Sequence, residues 1–174
     1  MKVYIDHISG DEVGSDAGSQ EIEGGAIVTK ASRRVAVGGD YGFESEEADD
    51  ATETTLDVVD SHGLVAMQYS KAEYKALMKG FWKTLKAKLE AAVAEAEDDY
   101  TKNQAKEAYN KFAKEYALLK KFVKETVVKN FDEFEFYVGK SMNPDGLIIP
   151  ARYEGAAASP TFYVFTAACR VEKY

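Results

Sequence analysis

Residues 130–153 read NFDEFEFYVGKSMNPDGLIIPARY, and the rest of the chain is organised around this stretch. Phe134, Phe136 and Val138 alternate with Glu133, Glu135 and Tyr137, the period of two of a half-buried strand. Leu147 to Tyr153 is a second apolar run, with Arg152 interposed. Between the runs, Asn143-Pro144-Asp145-Gly146 carries turn chemistry. Asn can bond the backbone, Pro sets φ near the type I value and Gly suits the fourth place. The expectation is two strands joined by a wide connection, an arrangement that backbone needs alone would explain.

Working outward, Phe162, Val164 and Phe165 mark a further strand over 161–168. Upstream the period changes. Ser70 and Glu73 form a capping box, a helix-start signature. Tyr74, Leu77, Met78, Phe81, Trp82, Leu85 and Leu89 then recur at three and four residues, a continuous helical face. Ala-rich residues 91–96 prolong that helix, and Glu97-Asp98-Asp99 is the expected break. Thr101 and Gln104 read as a second capping box, followed by a face of Tyr109, Phe112, Tyr116, Leu119 and Val123. Two helices of roughly 25 residues with a short link are expected to form an antiparallel hairpin ~35–40 Å long. Its aromatic stripes read as core.

At the N-terminal end, Lys2 to Asp6 reads as a strand. Ser9 and Glu12 fit a capping box that opens a short helical turn near residues 10–14. Residues 21–30 suggest two short strands or a bulge about Gly24-Gly25. Residues 33–37, 54–59 and 64–68 read as strands, the last two joined by Asp60-Ser61-His62-Gly63. Strands, a helix pair and strands again make an α+β class. Strand pairing across the insertion at 70–129 makes residues 1–174 one interrupted domain.

Residues 40–52 hold six acidic residues, with Tyr41 and Phe43 as the aromatic content, and are expected to form a mobile acidic loop. The hydrophobic share of 45% argues for a folded globule. No apolar run approaches the ~20 residues of a membrane span, and the N-terminus lacks a signal-peptide core. A lone cysteine, Cys169, fits a reducing cytoplasmic setting and excludes a Cys-rich zinc site. The net charge of −8 is segregated. Residues 1–70 hold 4 basic and 15 acidic side chains, net −11; residues 71–129 hold 14 and 9, net +5; residues 130–174 hold 4 and 6, net −2. An acidic body thus carries a basic hairpin. Nucleic acid is a poor partner for such a molecule, because the acidic remainder repels phosphates.

Catalytic constellations are sparse. His7 and His62 have no nucleophile or metal-ligand spacing around them, and Gly24-Gly25 and Gly38-Gly39 lack the Lys-Ser/Thr of a phosphate loop. Cys169 reads as a buried, inert thiol in a strand. The acidic run at 40–53 lacks an ordered EF-hand pattern and reads as solvated charge, with loose calcium binding as the alternative.

The stretch that opened this reading also carries a resemblance. F-x-F-Y-V-G, then M-N-P-D-G-L and Tyr153-Glu154-Gly155, resemble the C-terminal signature of the translationally controlled tumour protein family. The opening KVYIDHISGDEVGSD, the run Leu56 to Asp60, the helix start Ser70 to Tyr74 and the ending Glu172-Lys173 are similar to the family as well. Two positions depart from it: Gly38-Gly39-Asp40-Tyr41-Gly42 replaces Gly-Gly-Asn-x-Ser, and Lys140 stands where a Glu usually follows the hairpin glycine.

The resemblance implies a β-tent core with a projecting helical hairpin and a mobile loop, a fold shared with a guanine-nucleotide-release chaperone and the methionine-R-sulfoxide reductases. It implies a non-enzymatic cytoplasmic regulator that binds a small GTPase, a translation elongation factor, tubulin and anti-apoptotic partners, with calcium as a ligand but no obligatory cofactor and no identified metal ligands. A calcium-responsive scaffold or buffer is the alternative. A thiol reductase is the weakest reading, since Cys169 has no resolving partner. Glu12 matches the family glutamate linked to the GTPase; the rival reading keeps it as a capping residue of Ser9. Lys75, Lys79, Lys83, Lys86, Lys111, Lys114, Lys120, Lys121 and Lys124 decorate the hairpin and would suit the acidic tails of tubulin. The rival reading is a solvated helix face.

Overall fold

The computed structural model describes residues 1–36 and 54–174. The expected mobile loop at 40–52 lies outside the described residues. Three antiparallel sheets are present among them. In the first, the central strand β1 (Lys2–Asp6) pairs with β2 (Glu12–Ser15) and with the C-terminal strand β11 (Cys169–Lys173). The largest sheet has six strands: β3 (Gln20–Ile22), β4 (Ile27–Ala31), β10 (Thr161–Phe165), β9 (Ile149–Arg152), β8 (Phe134–Val138) and β7 (Val65–Met67), in that spatial order. A two-stranded ribbon pairs β5 (Arg34–Ala36) with β6 (Thr54–Leu56).

The organising stretch forms the expected hairpin. β8 and β9 pair from Phe134↔Arg152 to Tyr137↔Ile149. The Asn143 side chain accepts from the Asp145 amide at 2.9 Å, and the Gly146 amide bonds the Asn143 carbonyl at 3.0 Å, closing the turn. Phe131–Glu133, immediately before β8, form a 3-10 turn.

The insertion is the expected helical hairpin, α2 (Lys71–Glu95) and α3 (Asp99–Phe122). Ser70 caps α2 through the complete box with Glu73. The second cap is Asp98 rather than Thr101: its carboxylate accepts from the Thr101 amide at 2.7 Å and from the Thr101 hydroxyl at 3.0 Å. Asp is as good a cap as Thr, and Asp98 sits where the chain is still extended. Beyond α3 the helix widens into a π-helical segment, Val123–Val128. The expected faces are buried at Tyr74, Met78, Phe81, Trp82, Leu85, Leu89, Phe112, Leu119 and Val123, while Leu77, Tyr109 and Tyr116 are partly covered. Aromatic contacts root the hairpin in the large sheet: Trp82 stacks on Phe165 with centroids 6.1 Å apart, Tyr74 meets Phe136 at 4.7 Å, and Phe122 meets Phe165 edge-on at 5.9 Å. One hydrophobic cluster therefore runs through strands from both ends of the chain and both long helices.

Two expectations are overturned near the N-terminal half. The segment around residues 10–14 is not a helical turn, because β2 pairs with β1 and a bulge at Tyr4/Ile5 sets Glu12 opposite Ile5. The second is the strand expected at 54–59, which ends at Leu56. Asp57–His62 is a short helix, α1, stopped by Gly63 in the left-handed region at φ 67. Its single turn is too short to show a helical period, and Val58-Val59 mimic a strand. The strand expected at 161–168 likewise stops at Phe165, and a 3-10 turn at Thr166–Ala168 redirects the chain into β11.

Candidate functional site

The N-terminal connection is built around a buried carboxylate. Asp6 is 1% exposed, and it accepts from the Ile8 amide at 3.0 Å, the Ser9 hydroxyl at 2.6 Å and the Leu147 amide at 2.8 Å. A carboxylate without water needs such donors. The last of these reaches across to the β8–β9 connection and ties the two loops together. A second strut lies beside it: Asp11 accepts from the Ser141 hydroxyl at 2.5 Å and from the Ser141 amide at 3.2 Å. Gly139 makes that strut fit. A Cβ there would stand 2.5 Å from the Asp11 Cβ, so a side chain would push the aspartate away.

On this frame sits Glu12, at the start of β2, an outer strand of its sheet. The geometry disposes of the capping alternative. Ser9 is engaged with Asp6 and receives the Asp11 amide at 3.2 Å, and no helix follows it. The Glu12 carboxylate instead meets His62 Nδ1 at 3.1 Å. Its side chain remains 41% exposed against 12% for His62, so the histidine props the carboxylate and leaves a free oxygen edge toward solvent. Glu12 also lies between two clefts. One, of about 430 Å³, is bounded by Asp11, Asp60, Ser61, His62 and Lys140. The other, of about 340 Å³, runs past Ser15, Lys30 and Asp57. The stem of Lys140, one of the two departures, packs over Gly63 at the edge of the first cleft. The first cleft is thus acidic at Asp11, Glu12 and Asp60, with Lys140 on its rim. Asp16, just beyond β2, accepts from the Lys2 amide at 2.9 Å.

The hairpin lysines separate into groups. Lys75, Lys79, Lys83, Lys120 and Lys124 converge on one groove of about 710 Å³, joined by Lys71 and Lys129, which the sequence reading did not single out. Met78, Trp82, Tyr116, Val123 and Val128 also line it. Lys86 lines a smaller adjoining cavity beside Tyr109 and Phe112. Lys111 is paired with Glu115 at 2.7 Å. Lys114 and Lys121 are exposed and line neither cavity. The four-residue spacing of Lys71 with Lys75, Lys79 and Lys83 was legible as one row on α2; the opposing wall was not.

Cys169 begins β11 and is buried. Burial pushes its thiol pKa well up, and the nearby Asp6 charge adds to this, which keeps it in the unreactive thiol form. Among the described residues no group of three or more His, Cys, Asp or Glu is placed to hold a metal ion. Also among them, no helix is long and apolar enough to cross a membrane.

The fold and this surface define a class: an α+β protein of antiparallel sheets carrying an inserted basic helical hairpin and an acidic edge at β2. Comparison places the chain within that class. The family model described as translationally controlled tumour protein matches residues 1–170. A translationally-controlled tumor protein homolog of Gibberella zeae is 32% identical over 169 residues, covering 92% of each chain. A homolog from Plasmodium yoelii yoelii is 31% identical over 187 residues, covering 100% of both. The solved structure of the translationally controlled tumor-associated protein p23fyp from Schizosaccharomyces pombe superposes with a TM-score of 0.70 at 28% identity over 100% of both chains. The chain belongs to the translationally controlled tumour protein family.

Proposed function

We propose that the protein is a non-enzymatic cytoplasmic regulator that binds a small GTPase, or the elongation factor that delivers aminoacyl-tRNA, through the acidic surface centred on Glu12. The observation that carries this reading is the propped carboxylate: Glu12 is oriented by His62 at 3.1 Å yet stays 41% exposed. A Lys or Arg of a partner would find an acceptor whose geometry is already set, and a preorganised acceptor loses less entropy on binding. Asp11 and Asp60 extend the same sign of charge around it, which would steer a basic partner patch.

Tubulin is the second proposed partner, docking its acidic tails on the hairpin lysines. Exposed lysines are screened over ~8 Å at physiological ionic strength, so that association should weaken steeply with added salt. Calcium is proposed as a ligand on family grounds alone; Asp6 and Asp11 are occupied by protein donors, and no ligand set is assigned.

The test is Glu12→Gln. The amide oxygen can still accept from His62, so the melting temperature should match the parent. Capture of the GTPase, offered nucleotide-free, GDP-loaded and GTP-loaded, should fall several-fold in the state the protein prefers. A variant that melts and binds like the parent would remove Glu12 from the partner surface.

A further inference from the structure

The groove at the root of the hairpin combines two features that the reading above does not use together. Seven lysines line it together with Tyr116, with no Asp or Glu among the described lining residues. The remainder is apolar: Val128, partly exposed, beside Met78, Trp82 and Val123, each less than a tenth exposed. Lys71, Lys75, Lys79 and Lys83 stand every four residues on α2, so their row runs about 18 Å along one wall. Lys120, Lys124 and Lys129 form the other wall, at the last turn of α3 and along the π-helical segment. Segments of π-helix are rare and recur at functional sites. Exposed lysines lay their four-carbon stems along apolar surface and keep the ammonium in water. Lys120 Nζ stands 5.0 Å over the Tyr116 ring; the same disposition in the other six would make stems part of the walls and place their charge at the rim.

We propose that this groove binds a long-chain fatty acid anion, with the acyl chain lying between the lysine stems over Met78, Trp82 and Val123, and the carboxylate held by ammonium groups at the rim. Charge sign and shape select this ligand. Among the described residues that line the groove, seven cations with no acid beside them call for an anion, and the lysine stems with the partly exposed Val128 call for a hydrocarbon. The groove measures about 710 Å³. That available volume falls within the range of sites that enclose a small molecule. The inference is independent of Glu12. It shares five lysines with the proposed tubulin face, but salt-sensitive tubulin binding would survive the failure of fatty acid binding.

Trp82 is the single tryptophan of the chain and lines the groove, so it reports occupancy directly. Oleate, titrated below its micelle concentration into the full-length protein, should change Trp82 fluorescence, and calorimetry should give one ligand per chain. Shortening the saturated chain should weaken binding about two- to fourfold for each methylene removed. Monooleoylglycerol, which lacks the charge, should bind at least tenfold more weakly. Lys75→Glu and Lys124→Glu, one on each wall, should each weaken oleate about tenfold with unchanged melting temperatures. Lys106→Glu, exposed on α3 away from the groove, should leave it unaltered. Binding indifferent to chain length, to the head charge or to both groove variants would overturn the proposal. So would binding of lysophosphatidate, or of an acidic amphipathic peptide, in the absence of oleate binding.

Discussion

Replacing Asp6 with Ala should damage the molecule more than any surface change, and the structure sets the size of the effect. The Asp6 carboxylate is 1% exposed and receives three donors, at 2.6, 2.8 and 3.0 Å. Of these, the Ser9 hydroxyl can rotate toward water. The Leu147 amide is buried and the Ile8 amide half-buried, and among the described residues neither donates to a second acceptor. An unsatisfied buried amide costs about 1–3 kcal/mol, so the two together come to roughly 3–5 kcal/mol once the relief of a buried charge is set against them. Against a typical total of about 5–15 kcal/mol, that is a large fraction. At about 2–4 °C per kcal/mol for a domain of this length, the melting temperature should fall on the order of 10 °C. Urea denaturation would give the free energy, with the slope checking that the transition stays two-state. Asp6→Asn keeps one acceptor and should cost about half as much. Because the same loop presents Asp11 and Glu12, amide exchange at residues 8–12 and 141–147 should accelerate in both variants. An Asp6→Ala protein within about 1 kcal/mol of the parent would show that the cross-loop bonds are not what holds the two connections together.

Two further outcomes are open to measurement. Tyr74 is fully buried, its hydroxyl has no partner among the described residues, and burial pushes its pKa far up; Tyr74→Phe should be neutral or stabilising by up to about 1 kcal/mol in urea, and a clear destabilisation would reveal a partner for that hydroxyl. The His7 pKa is lowered by burial, with Lys88 and Arg170 adding repulsion and Asp6 opposing them. The folded state therefore favours neutral His7: its contribution is complete above the unfolded value of about 6.5 and declines as pH falls below it. NMR titration should place its midpoint below 6.5, and His7→Gln should flatten the stability loss between pH 6.5 and 5. A midpoint above 6.5 would contradict the burial argument.

The parts legible in the sequence are those whose causes are local. The Ser70–Glu73 cap, the stripe from Tyr74 to Leu89 and the Asn143–Gly146 turn each depend on residues within a few positions, and each formed as its spacing required. Even the misread second cap moved by only three residues, from Thr101 to Asp98, because both candidates lie within the same polar link. The family signature was legible for the same reason, as short runs of identity. The parts decided by tertiary structure depend on groups distant in the chain. Glu12 looked like the partner of Ser9 three residues away, whereas it pairs with His62 across 50 positions. Asp6 gave no local sign of its role because Leu147 lies 141 positions off. The C-terminal strand exists because β1 supplies its ladder from the opposite end of the chain. Likewise the groove needs one wall from residues 71–83 and another from 120–129, and the packing of Trp82 against Phe165 and Tyr116 brings those walls face to face. Backbone propensity and short-range hydrogen bonds are written in adjacent residues. Burial, sheet pairing and the convergence of charges arise only when the chain closes on itself, and here those long-range closures formed both the acidic edge and the basic groove.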